Sequence, residues 1–312
     1  MPDDSAPLGA SPAAPAGAPF APPPAPKKFN PRVLISILVF ILIAAGLPAL
    51  VFHLLHVFFH FKLKIENLAL PTVLPIEGTL AISVLLATFF ASRIARKSLD
   101  EVGLPPRQAL GLLFWEGVLW GFVMLSALLL ILHIGGDFRI SGLALPHAAI
   151  LKYALAWGVA FLCVGIYEEC LFRGYFLFSL SRRLTFWPSA LIMSLLFAAA
   201  HLGNSGENFF GILQVFVIGM VLCLIIRRTG SLWFGIGLHA SWDWAQTFFY
   251  GTPDSGLLGV GHLLNSASAG SKWVSGGSAG PEGSVFSLLV ILLAAAFIHL
   301  RFPKALYPNK PV

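Results

Sequence analysis

Apolar residues fall into long runs along this chain, each interrupted by a short polar or basic stretch. A helix needs about 20 mainly apolar residues to cross a bilayer. Eight runs approach that length: 33–59, 72–92, 109–133, 148–180, 186–201, 208–226, 232–250 and 284–300. The fifth is short, and the first contains Pro48, where it could bend. The pattern predicts an all-α polytopic membrane helix bundle of about eight transmembrane helices. Composition points the same way: 57% of the residues are hydrophobic and 11% charged, against about 25% charged in soluble domains.

The basic residues add an orientation. Lys27, Lys28 and Arg32 precede the first run, and Arg93, Arg96, Lys97 and Arg107 separate the second from the third. Arg182 and Arg183 separate the fourth from the fifth, Arg227 and Arg228 follow the sixth, and Arg301, Lys304 and Lys310 follow the eighth. With eight spans, every such cluster falls on one side, and the positive-inside rule makes that side cytoplasmic, with both termini on it. The net charge of +6 follows from this bias and does not point to nucleic acid. Cys163, Cys170 and Cys223 form no CxxC pair and no disulfide framework.

The same pattern divides the chain. Residues 1–31 are rich in Pro and Ala and read as a disordered cytoplasmic tail. Their acidic start and scattered prolines do not fit a signal peptide. Residues 32–147 hold the first helices, 148–250 a polar-bearing core, 251–283 a Gly/Ser-rich outer loop, and 284–312 the last helix with a short basic tail.

Ionisable residues inside a membrane are costly and read as functional by default. Glu168, Glu169, Arg173, His201, His239 and Asp243 form the main set, with Glu77, Glu116, Gln214, His53 and His56 beside it. From the nearest basic residues, Glu168 and His201 lie roughly 20–27 Å along their helices and His239 roughly 16 Å. Three spans can therefore present a carboxylate and two imidazoles at overlapping depths, approached from the cytoplasmic side. Glu169 and Arg173 are four apart, which suits an ion pair, while Glu168 lies about 100° around the helix. His239 and Asp243 share a face, and Phe197 sits one turn below His201. Glu116 and Gln214 suit polar contacts between helices. His53 and His56 read as hydrogen-bonded core residues, Glu77 as a group near the outer, water-accessible end of its span, and Cys170 as a small core residue.

The stretches EECLFRG (Glu168, Glu169, Arg173), FAAAH (Phe197, His201) and HASWD (His239, Asp243) resemble the EExxxR, FxxxH and HxxxN/D motifs of one family. It is the CAAX-protease and bacteriocin-processing (CPBP, or Abi) family of intramembrane glutamic endopeptidases, related to the eukaryotic Ras-converting CAAX proteases. The likeness covers about residues 151–250. It implies that Glu168 is a general base activating water with help from His201, and that His239 and Asp243 stabilise an oxyanion. Glu169, Arg173 and Phe197 would support the site. Asp243 stands where the best-known eukaryotic members have Asn, so orienting His239 is an alternative role for it.

The resemblance implies hydrolysis of a peptide bond in a membrane-anchored or lipidated protein or peptide, without a cofactor, in a bacterial inner membrane. Two histidines and a glutamate also make a catalytic zinc set, so zinc is the second mechanism. A non-enzymatic bacteriocin-immunity or scaffolding protein is the alternative function. A proton-coupled transporter fits less well, since no inverted repeat or matched pair of broken helices is visible.

Overall fold

The computed structural model describes residues 31–60, 68–204, 206 and 208–307. The N-terminal tail expected to be disordered lies outside them. The helices are α1 (Pro31–Phe59), α2 (Leu70–Ile94), α3 (Leu112–Ile134), α4 (His147–Glu169), α5 (Tyr175–Leu184), α6 (Phe186–Ala200), α7 (Phe209–Thr229), α8 (Trp233–Trp244), α9 (Lys272–Ser275) and α10 (Val285–Arg301). Two strands, β1 (Phe138–Leu143) and β2 (Leu264–Ser268), pair antiparallel with a bulge between Ile140 and Gly142.

Local chemistry sets several of these boundaries. Asn208 caps α7 by accepting from the Phe210 and Gly211 amides, and Gly230 ends it in the left-handed region. Ser284 caps α10 in the same way from its hydroxyl. Pro188 lies in the first turn of α6, where a missing amide proton costs least. Helix α1 continues through Pro48.

Among the described residues, five helical segments are long and apolar enough to cross a membrane, the longest being His147–Leu184; α6 and α10 are shorter apolar helices. The expected seventh span differs most. Its regular part, α8, has 12 residues, continued by one π-turn over Ala245–Phe249. Helix α8 is buried on nearly every side, joining clusters that contain α2, α4, α5 and α6 on one flank and α3, α7 and α10 on the other. A helix enclosed by protein need not match the thickness of lipid.

Small residues allow that enclosure. Helices α3 and α8 cross so closely that a methyl group on Gly117 or Gly237 would come within 2.1 Å of a backbone carbonyl oxygen of the other helix, the close approach that membrane helix pairs use. Large apolar side chains such as Leu42, Leu112, Ile134 and Leu151 face outward, far more than a water-soluble surface carries. This is an integral membrane protein built from helices. His53 and His56 belong to that outer surface of α1, which corrects their reading as core residues. Glu116 pairs with Arg301 at 3.3 Å and ties α3 to α10.

The 251–283 segment also departs from a plain loop. It contributes β2, α9 and a single 3₁₀ turn at Pro281–Gly283. Strand β2, LNSAS, has no alternating apolar pattern; its order comes from pairing with β1, a partner more than 100 residues away.

Candidate active site

Helix α4 ends at Glu169, and the next five residues, Cys170–Gly174, form a π-turn before α5 resumes α-helical geometry. Widened turns of this kind are frequent at functional sites. Glu169 and Arg173 are both fully buried and paired at 2.8 Å, from Arg173 Nη1 to Glu169 Oε1. The Arg173 guanidinium lies 3.9 Å from the centre of the Phe197 ring, a cation–π contact that helps hold a charge away from water.

Glu169 has a second duty that its sequence position does not reveal. Its Oε1 also accepts from Nδ1 of His239, at 3.0 Å, across 70 residues of chain. That bond aims the other imidazole nitrogen, Nε2, at Glu168 Oε2 (3.4 Å) and Asp243 Oδ2 (3.5 Å). Glu168 Oε2 is shielded and makes no hydrogen bond, which leaves it open as an acceptor. Room for Glu169 comes from Gly235, where a methyl group would lie 3.2 Å from Oε2.

His201 closes α6. Its Nδ1 donates to the Phe197 carbonyl at 2.8 Å, so Nε2 is the nitrogen left for other chemistry. The Phe197 ring lies 4.6 Å from the His201 ring and 6.3 Å from the His239 ring, centre to centre. Phe197 thus contacts Arg173 and His201, while Glu169 Oε1 bridges Arg173 and His239.

Glu168, His201, His239, Asp243 and Phe197 line one cavity of about 220 Å³; Glu169 and Arg173 stand outside its lining. Four further polar residues line the same cavity: Glu77 and Gln214, to which sequence reasoning assigned other roles, and Asp254 and Glu282, which it did not single out. Glu77 reaches it from α2 and Gln214 from α7. Asp254 and Glu282 come from the 251–283 segment. Gln246 Nε2 donates to Glu282 Oε2 at 2.7 Å, and the Ser255 amide donates to Glu282 Oε1 at 2.7 Å. Thr247 donates to Asp254 at 3.0 Å. The sequence expected an approach from the side of the basic loops. Leu68, Asp254, Ser255, Leu257 and Glu282 also line the cavity, from the segments before α2 and after α8.

Among the described residues, no three His, Cys, Asp or Glu side chains are grouped as a metal site requires. Both nitrogens of His239 face carboxylates, and His201 offers one nitrogen only. Cys170 is fully buried in the apolar core.

Residues 150–245 match a family model described as type II CAAX prenyl endopeptidase Rce1-like. A curated Escherichia coli protein, described as an uncharacterized 24.3 kDa protein, is 36% identical over 81 residues. That alignment spans 25% of this chain and 36% of the E. coli protein, about a third of the relative's length. All seven motif residues fall inside the family match, whereas Glu77, Asp254 and Glu282 fall outside it.

Proposed function

Taking residues 150–245 as an Rce1-like domain of the CAAX-protease family, we propose that this chain is an intramembrane endopeptidase using a glutamate-activated water. One observation carries the reading: Glu168 Oε2, without a hydrogen bond of its own, faces His239 Nε2 at 3.4 Å on the lining of a cavity of about 220 Å³. Glu168 takes a proton from water as the water oxygen attacks the scissile carbonyl carbon. The carbonyl electron pair moves to oxygen, where His239, as an imidazolium held by Glu169, donates from Nε2. The C–N bond then breaks, and the proton passes to the leaving amine. His201 Nε2 positions the water. Asp243 shares the Nε2 face of His239 and tunes its donation rather than orienting the ring, a task Glu169 performs through Nδ1.

The substrate is a membrane-anchored or lipidated protein or peptide. Its catalytic core is 148–250, flanked by the N-terminal helices 32–147, the segment 251–283 and the final helix with its basic tail, 284–312. Eight helical passes, counting α4 and α5 as one and including the short α6, α8 and α10, put the basic loops and both termini in the cytoplasm of a bacterial inner membrane. With that orientation, residues 254–257 and 282 bound the cavity toward the opposite face.

The test compares membrane proteomes of cells carrying the parent protein or Glu168→Gln. Uncut precursors should accumulate with the variant, and purified protein should lose about 10²–10⁴-fold in cleavage rate, the scale of general-base catalysis. Unchanged cleavage of a verified substrate by Glu168→Gln sinks the assignment. A biological effect that survives this variant favours the immunity or scaffolding role. Stoichiometric zinc lost together with activity favours the metal mechanism.

A further inference from the structure

The cavity carries a charge pattern that the hydrolytic step does not use. Among the described residues five carboxyl side chains line it, Glu77, Glu168, Asp243, Asp254 and Glu282, and neither Lys nor Arg does. Arg173 is absent from the wall, fully buried and paired with Glu169. Four of the five acids have identified neighbours. Glu168 and Asp243 face His239, Asp254 accepts from Thr247, and Glu282 accepts from Gln246 and the Ser255 amide.

Glu77 is different. Among the described residues it makes neither a hydrogen bond nor an ion pair, although it lines the cavity. Gln214 is different in the same way: only 5% exposed, it lines the cavity and has no hydrogen-bond partner among the described residues. Buried polar side chains are nearly always hydrogen-bonded. A carboxyl and an amide left open on the lining, where carboxyl side chains outnumber the single imidazolium of His239, match a guest that brings donors and positive charge. A carboxylate guest would enter against five acids.

We propose that the cavity selects peptides with a Lys or Arg side chain beside the bond to be cut, bound by Glu77 and by the Gln214 carbonyl oxygen. The inference rests on the endopeptidase reading above for the role of that peptide, but recognition can be measured without cleavage.

The experiment uses full-length Glu168→Gln protein in nanodiscs and a set of single-span peptides, each carrying Lys at one position, with norleucine counterparts. At the recognised position Lys should bind about 10- to 100-fold more tightly, the scale of one hydrogen bond to a charged group. Adding Glu77→Gln should abolish that ratio, and adding Glu77→Asp should keep it. Equal binding of Lys and norleucine peptides at every position, no binding of any Lys peptide, or a ratio that survives Glu77→Gln overturns the proposal. Cleavage of the same peptides by the parent protein is measured separately. Cleavage with no Lys preference sinks the selectivity and leaves the protease reading standing. A Lys preference in binding with no cleavage does the reverse.

Discussion

Replacing Glu169 with Gln separates two roles that one oxygen atom combines. Glu169 Oε1 receives both Arg173 Nη1 at 2.8 Å and His239 Nδ1 at 3.0 Å, and neither Glu169 nor Arg173 has any exposed side-chain surface. Removing the negative charge strands a buried guanidinium, which costs about 3–5 kcal/mol when one member of a buried pair is lost. The Phe197 face, 3.9 Å from the guanidinium carbon, already supports that charge, so the lower end, about 3 kcal/mol, is expected. Removing both charges in Glu169→Gln/Arg173→Met should restore most of the stability, since a well-packed apolar replacement of a buried pair is often neutral. Cleavage should not recover, because His239 still lacks the carboxylate that aims it; a loss of about 10²-fold is typical of such misplacement. Stability is read from SDS unfolding in mixed micelles by tryptophan fluorescence, and activity from a verified substrate. A single variant within about 1 kcal/mol of the parent, a threshold set well under the cost of a stranded buried charge, refutes the energetic reasoning. So does a double variant no more stable than the single one. Full activity in the double variant refutes the positioning role.

Two further outcomes test the surrounding fold. Gly237→Ala should force α3 and α8 apart, because the added methyl meets the Phe114 carbonyl oxygen at 2.1 Å, with a cost of about 1–3 kcal/mol for overpacking; Gly78→Ala, with nothing within 4 Å, is the control, and equal unfolding midpoints contradict the close crossing. In the loop after α2, the Lys97 hydrogen bond at 2.7 Å holds the Glu101 carboxyl below its ordinary range, with Arg182 at 3.3 Å assisting. A lowered folded value means this contribution is present above the unfolded value of about 4.3 and fades as pH falls through the folded one. The groups are partly exposed, so the effect is under about 1 kcal/mol. Glu101→Gln should flatten that part of the acid profile, and identical profiles for variant and parent contradict the coupling.

What the sequence discloses and what it conceals follow from the range of each interaction. Glu169–Arg173 and Phe197–His201 sit one helical turn apart, and their geometry is nearly fixed by helical spacing alone. Apolar run lengths disclose the membrane class for the same local reason. The bond from His239 to Glu169 crosses 70 residues, and nothing in either motif marks which of the two adjacent glutamates receives it. Glu77 looked like a group near water because only its distance from the end of its run is visible; its place on the cavity wall depends on how α2 packs against α4. Asp254 and Glu282 stand in a Gly/Ser-rich segment without periodicity, and their partners, Thr247 and Gln246, lie on the π-turn that follows α8. The shortness of α8 was hidden too, since hydropathy does not distinguish a helix wrapped in protein from one wrapped in lipid.

The π-turn between α4 and α5 has a consequence for how the 38 residues of His147–Leu184 behave as one object. Such a turn takes in an extra residue, so the angular phase of everything beyond Gly174 is offset from that of α4. A helical wheel drawn straight through the segment misassigns which residues meet lipid on the far side of the joint. Arg182 and Arg183, the basic foot of the segment, therefore stand at a fixed angular offset from Glu168 and Glu169 that a regular α-helix would not give. Removing one residue from Cys170–Gly174 would restore α-helical register and turn that foot by about 100° relative to the carboxylates.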